Sequence, residues 1–332
     1  MITSTHTVAQ PAPAEYGVEA LSEDARQFIR SARAEGRRPV QQLSVTDARA
    51  QYIMTCQGYG LPPKHLMEVH DTRIATPAGN IAIRVYQPPR NDETEQPVIF
   101  FFHGGGWVIG NLDTHDGICR YLAAGTGIMV VAVDYSLSPE VKFPVAVSQC
   151  HEVLKAVMSH AGQWNIDSNR VIVAGDSAGG NLATVMTLLN REHRFMNVAA
   201  QVLFYPVTDL YNRTGSYERV KEGVTLTADS MNYFTANYLS SPIDARDWRA
   251  SPLLSPSLSN LPAAFIVTVG HDPLCDEGIY YAEGLRAAGN RVEHLHLPRE
   301  MHGFLTVGKV MKEATTVLDK SVEFILSSIK FS

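Results

Sequence analysis

Cysteine is scarce and unpatterned: Cys56, Cys119, Cys150 and Cys275 lie far apart and form no CxxC pair. A disulfide scaffold and a zinc knuckle are both excluded, leaving scattered buried thiols. Runs of lysine or arginine are missing as well. Arg37 and Arg38 form an isolated pair in a chain of net charge -6, so there is no phosphate-tracking face and nucleic acid is not an expected partner. No apolar stretch approaches the roughly 20 residues of a membrane span. Residues 1–14 carry neither the charged nor the apolar region of a secretory signal, and a cytoplasmic protein is expected. HExxH and clustered His/carboxylate sets are absent too, so neither metal nor organic cofactor is anticipated.

What is present is an ordinary globular composition, 45% apolar and 19% charged over 332 residues, enough for one large or two smaller domains. Leu21, Ala25, Phe28, Ile29 and Ala32 recur at helical spacing beside Ser22, a cap residue. A second helix is expected over 45–57, with Gly58 as its left-handed stop. Segments 69–76 and 81–86 flank a turn composition and predict an antiparallel hairpin. Beyond it come nearly continuous apolar runs at 98–102, 128–133, 171–174, 202–205 and 265–269, the pattern of strands covered on both faces. Helical stretches at 114–124, 145–158, 178–190 and 276–288 alternate with them, which predicts a mostly parallel, doubly wound α/β sheet. A last strand at 292–297 and a helix from 309 complete the alternation. Residues 208–256 interrupt it and are too long for an ordinary connection, so they should hold helices and a function.

The strongest chemical signal is Gly175-Asp176-Ser177-Ala178-Gly179, placed between a buried strand and a helix. Such a turn crowds its backbone, and its glycines relieve contacts while Ser177 is held outward as a nucleophile. A serine hydroxyl needs a histidine base and a carboxylate to orient it. In this architecture the acid follows a late strand and the histidine comes after the last one. Asp272 and His302 occupy those places. Asp276 and Glu277 are rival acids, set where a helix begins and suited to its dipole; His271, His294 and His296 are rival bases, the latter two on one face of an edge strand. The third element, His103-Gly104-Gly105-Gly106-Trp107, offers backbone N–H groups without side chains in the way. Gly105, Gly106 and Ala178 are the expected oxyanion donors; His103 is read as bracing the loop and Asp176 as a local brace. A dinucleotide or phosphate loop is disfavoured because the last GxGxxG glycine and a Gly-Lys-Ser/Thr are missing.

These motifs resemble the hormone-sensitive-lipase-like family of α/β-hydrolases, in its GDSAG branch: GDSAGG at 175–180, HGGGW at 103–107, DPLCDEG at 272–278 and His302-Gly303-Phe304. The stretch 111–116 is similar to bacterial acetyl esterases, and 134–140 looks like the family's DYxLxPE segment, with Ser136 and Ser138 where many members carry Arg and Ala. The resemblance covers about residues 70–330. It implies an α/β-hydrolase fold with a triad of Ser177, Asp272 and His302 and an oxyanion hole of Gly105, Gly106 and Ala178. It also implies a cap, drawn from residues 1–60 and the insertion at about 208–256 of a catalytic domain spanning 61–332. The expected reaction is hydrolysis of short-chain carboxylic esters, with a small-molecule ester as partner and a homodimer left open. An amidase or deacetylase with the same triad, or a ligand-binding protein on the same fold, are the alternatives; the latter would be expected to have lost a triad member. Trp107 and Tyr205, beside the motifs, are expected to wall the substrate pocket, with Phe234 as a further aromatic.

Overall fold

The computed structural model describes residues 18–89 and 94–330, so the first part of the expected cap segment, residues 1–17, lies outside the described residues. Eight strands form one sheet: β1 Glu68–Thr76, β2 Gly79–Gln87, β3 Gln96–Phe102, β4 Met129–Asp134, β5 Ile166–Asp176, β6 Val198–Phe204, β7 Ala263–His271 and β8 Val292–Met301. Their order is β1-β2-β4-β3-β5-β6-β7-β8. The hairpin β1–β2 is antiparallel and joins β4 antiparallel; every other pairing is parallel.

The apolar runs are continuous because each strand feeds two cores. Val98, Phe100 and Phe102 of β3 pack on one side with Val131, Val133, Val171 and Val173. Ile99 and Phe101 pack on the other with Val130, Ala132, Ile172 and Ala174. Helices α4 Val145–Ser159, α5 Ala178–His193 and α8 Cys275–Ala287 cover the first face, through Val153, Leu182 and Tyr281 among others. Helices α3 Asp116–Thr126 and α9 Glu313–Ser328 cover the second, through Leu122, Val317 and Phe324. Each fully buried phenylalanine contributes about 1.5–3 kcal/mol, which fixes the sheet's register firmly enough to hold a site at its edge.

The remaining helices sit at the carboxyl ends of the strands. Helix α1, Glu23–Ala34, starts at Ser22, whose hydroxyl accepts from the Ala25 amide, and α2, Val45–Tyr59, starts likewise at Ser44. Within the insertion lie α6 Gly215–Arg219 and α7 Ala228–Tyr238, the latter closed by a capping box of Thr227 and Ser230. Among the boundaries that differ from expectation are two helix ends. Gly58 does not stop α2; the helix runs to Tyr59 and ends at Gly60, in an extended conformation with φ -64. Gly60 is needed there because a Cβ would overlap the Cys56 carbonyl oxygen, whereas one at Gly58 would meet open space. The last helix begins at Glu313 rather than 309, because 309–312 turn, with the Lys309 amide bonded to the Tyr59 carbonyl and Val310 to Val307.

From β3 the chain moves outward to β4, whereas from β5 it moves the other way to β6, β7 and β8. The carboxyl ends of β3 and β5 therefore flank the switch point where α/β sheets open a crevice.

Candidate active site

Ser177 stands alone between the end of β5 and the start of α5, with φ 54 and ψ -119. Positive φ in a non-glycine residue is strained and persists only where the surroundings hold it. Here the Ser177 amide donates to the Phe204 carbonyl at 2.9 Å, and its own carbonyl accepts from Asn181 and Val207. The flanking glycines admit this packing: a Cβ on Gly179 would overlap the Phe102 carbonyl oxygen, and one on Gly175 would overlap Gly179. Gly179→Ala is expected to cost about 1–3 kcal/mol of stability in urea unfolding, by overpacking against backbone that cannot yield, and to lower activity. An unchanged midpoint with full activity would contradict this packing.

The structure brings the three separated residues together. His302 Nε2 lies 2.8 Å from Ser177 Oγ, and His302 Nδ1 lies 2.7 Å from Asp272 Oδ2. The other Asp272 oxygen accepts from the Leu274 amide at 2.8 Å, and the His302 carbonyl accepts from Thr225 Oγ1 at 2.7 Å. An ionised carboxylate can only accept, so Nδ1 carries the hydrogen and Nε2 faces the serine as acceptor. The juxtaposition comes from strand pairing: His271 of β7 and Met301 of β8 are cross-strand partners, so Asp272 and His302 emerge side by side. Strand β8 accordingly runs to Met301, beyond the expected end at 297.

The rival residues are engaged elsewhere. Asp276 accepts from the Ser216 amide and pairs with Arg219, while Glu277 Oε1 accepts from the Thr208 and Asp209 amides at 2.7 and 3.0 Å. Both tie the insertion to α8, more than the dipole role expected of them. Burial pushes the Glu277 carboxyl well above the ordinary carboxylate range despite those two N–H bonds. His294 and His296 sit on the edge strand, where both rings meet Thr268 Oγ1, at 2.8 and 2.9 Å.

The glycine loop follows β3. Gly105, Gly106 and Trp107 have φ of 114, 59 and 58, a path that folds the chain back under α7. His103 donates from Nδ1 to the Gly104 carbonyl and stacks on Tyr135 at 4.3 Å, and the Tyr135 hydroxyl donates to the His103 carbonyl. Burial, then the neighbouring His115, pushes His103 down to about 3, so it is neutral at ordinary pH and braces the loop as expected. Asp176 accepts from the Gly104 amide at 2.8 Å, which joins the loop to the elbow. His115, assigned no role from the sequence, also meets Asp176, its Nε2 3.0 Å from Oδ1.

A cavity of about 380 Å³ opens over Ser177, His302, Gly105 and Gly106. Its walls include Phe28 and Ile29 of α1, Tyr52 of α2, and Leu226, Met231 and Phe234 from the insertion. Trp107 and Tyr205 are not among its lining residues, contrary to expectation. Trp107 is fully buried and stacks on Tyr238 with centroids 4.0 Å apart, because its positive φ turns the side chain away from the loop's open side. Tyr205, also at positive φ, packs its ring on His302 at 4.6 Å and on Phe304, supporting the histidine from behind. Phe234 is the aromatic that does line the cavity, seated where a Cβ on Gly106 would be. Among the described residues no helix is long and apolar enough to cross a membrane.

The chain is similar to known ester hydrolases. A carboxylic ester hydrolase of Mycobacterium tuberculosis, LipN, is 40% identical over 269 residues, covering 79% of this chain and 71% of that protein. An ethyl acetate hydrolase of Pseudomonas putida is 33% identical over 301 residues, covering 90% and 95%. The solved structure of a hyperthermophilic esterase from the archaeon Pyrobaculum calidifontis superposes with a TM-score of 0.86 at 36% identity, over 92% of this chain and 98% of that one. The family model for the alpha/beta hydrolase fold matches residues 99–306, which contain the glycine loop, the elbow, Asp272 and His302. With an eight-stranded sheet whose elbow, acid and histidine follow in that order, the chain belongs to the α/β-hydrolase fold family.

Proposed function

We propose that the protein is a serine carboxylesterase that hydrolyses short-chain carboxylic esters through an acyl-enzyme at Ser177. The observation that carries this reading is the continuous chain from Ser177 Oγ through His302 to Asp272, beside the loop of Gly105 and Gly106. His302 Nε2 takes the hydroxyl proton as Ser177 Oγ attacks the ester carbonyl, and the carbonyl oxygen becomes an oxyanion facing the amides of Gly105, Gly106 and Ala178. Collapse breaks the ester C–O bond, with the proton passing from His302 to the departing alcohol. Water then loses a proton to His302, attacks the acyl carbon and releases the acid, returning the proton to Ser177. Asp272 stays ionised throughout and holds Nδ1–H. The names of LipN and the ethyl acetate hydrolase support ester substrates, the second a short-chain one. Four buried free cysteines suit a cytoplasmic setting.

Helices α1 and α2 and the insertion act as the cap in this reading, since all three contribute cavity walls. A covered pocket limits chain length. Each methylene buried adds about 0.8 kcal/mol, roughly a fourfold gain in kcat/KM, until the acyl chain meets a wall such as Phe234. Across p-nitrophenyl esters, efficiency is expected to peak at about two to six acyl carbons and to fall steeply by about ten, because the methylene gain then gives way to overlap. Phe234→Ala should move that peak to longer chains. Efficiency that climbs through long-chain esters, or activation at an oil-water interface, would contradict the reading.

A further inference from the structure

Asp176 is a buried carboxylate next to the nucleophile that takes no part in the proton path above. Its Oδ1 accepts from the Gly104 amide at 2.8 Å and faces His115 Nε2 at 3.0 Å. Both side chains are nearly inaccessible, at 3% and 1%. Burial works to raise the Asp176 carboxyl, yet the His115 charge and N–H together with the Gly104 N–H outweigh it and keep it below the ordinary range. His115 is itself held in place: its Nδ1 lies 2.8 Å from Thr114 Oγ1, which accepts from the Asn111 amide and reaches the Asn111 carbonyl. Gly104 is seated so closely that a Cβ would overlap the Asp176 side chain.

We propose that His115 is a positioning residue for ester hydrolysis: by holding the Asp176 carboxylate against the Gly104 amide, it sets where the Gly105 and Gly106 amides lie. The proposal rests on the esterase reading above. His115 does not touch Ser177; it acts on Gly104 through the buried Asp176 carboxylate, whose other donor is the Gly104 amide, and its Nε2 also lies 3.3 Å from that amide. Taking one donor from a buried carboxylate leaves it undercompensated, so it protonates or turns away, and Gly104 loses its fixed anchor. The next two residues in the chain are the proposed oxyanion donors, which work only within about 2.7–3.1 Å of the developing oxyanion. Binding of the ground-state ester depends far less on that placement, so the effect falls on kcat.

The test compares His115→Leu with His115→Gln, whose side-chain amide reaches the place of Nε2 and can donate to Asp176. Turnover of p-nitrophenyl butyrate is measured per active site titrated with a p-nitrophenyl phosphonate. A misplaced loop costs about 100-fold, so His115→Leu should lose about that factor in kcat, with KM within about threefold. His115→Gln should recover to within about fivefold of the parent, since it keeps the donor. A merely structural role would lower the titre or the melting temperature without this split or this rescue. If His115→Leu does not fold, Thr114→Val removes the Nδ1 partner instead and should lower kcat about tenfold, the scale of one weakened hydrogen bond. Parental kcat in the folded Leu or Val variant, or a Gln variant as slow as Leu, overturns the proposal. Ser177→Ala in the same series separates the two levels: with that variant inactive, a contrary result at His115 removes only the role of His115, whereas an active Ser177→Ala removes the esterase reading and the proposal with it.

Discussion

Ser177→Ala is expected to abolish ester turnover, with kcat lower by about a million-fold, the scale seen when one member of a triad acting as a unit is removed. The single oxygen lost is the atom proposed to form the acyl bond, and Ser177 Oγ is the hydroxyl that His302 Nε2 meets among the described residues. Stability should change by only about 1 kcal/mol, because the variant loses one hydrogen bond, to His302 Nε2, and keeps the Cβ and its packing. The backbone bonds that hold φ at 54 come from Phe204, Asn181 and Val207 and do not involve the side chain. Hydrolysis near the parental rate by a folded variant would remove Ser177 from the mechanism.

Asp272→Asn is expected to lower kcat by about ten-thousand-fold, the cost of this change in a well-studied triad on another fold. The buried carboxylate accepts from His302 Nδ1 and from the Leu274 amide. In the variant one of those positions becomes an NH₂ group, and since the Leu274 amide can only donate, the NH₂ turns toward His302. The imidazole then presents an unprotonated Nδ1 to it and an Nε2–H to Ser177, which leaves no base for the serine proton. Asp276→Asn removes the pair with Arg219 at the foot of α6 and should lower kcat less than about tenfold, its main effect being on stability. Steady-state kinetics on folded proteins check both, and a larger loss at Asp276 than at Asp272 would reassign the acid.

Much of this candidate site is legible in the sequence, for physical reasons that differ between its parts. The central strands were visible because helices on both faces make every position apolar, as at Val98, Ile99, Phe100, Phe101 and Phe102. The elbow was visible because its packing against Phe102 tolerates only glycine at 175 and 179, which leaves a local mark in the sequence. Asp272 and His302 could be ordered along the chain, but not paired, since the contact depends on the register that sets His271 opposite Met301. Trp107 and Tyr205, expected at the pocket wall, do not line the cavity. Adjacency to a motif says how near a residue lies; direction follows from φ, and at positive φ both rings turn into the core. His115 carried only a weak local signal, a histidine just before a helix, and its partner Asp176 lies far along the chain. A short polar residue in the elbow beside the serine, facing a glycine loop from another strand, is the local sign of such a partner.

In the proposed mechanism the covalent intermediate forms at Ser177 Oγ. Incubation with a p-nitrophenyl alkylphosphonate, followed by digestion and mass spectrometry, traps that step as a stable tetrahedral adduct on the attacking atom. One equivalent of label on Ser177, formed in step with loss of ester turnover and absent from Ser177→Ala, is the predicted result. Label on any other residue, or full inactivation with Ser177 unmodified, would contradict it.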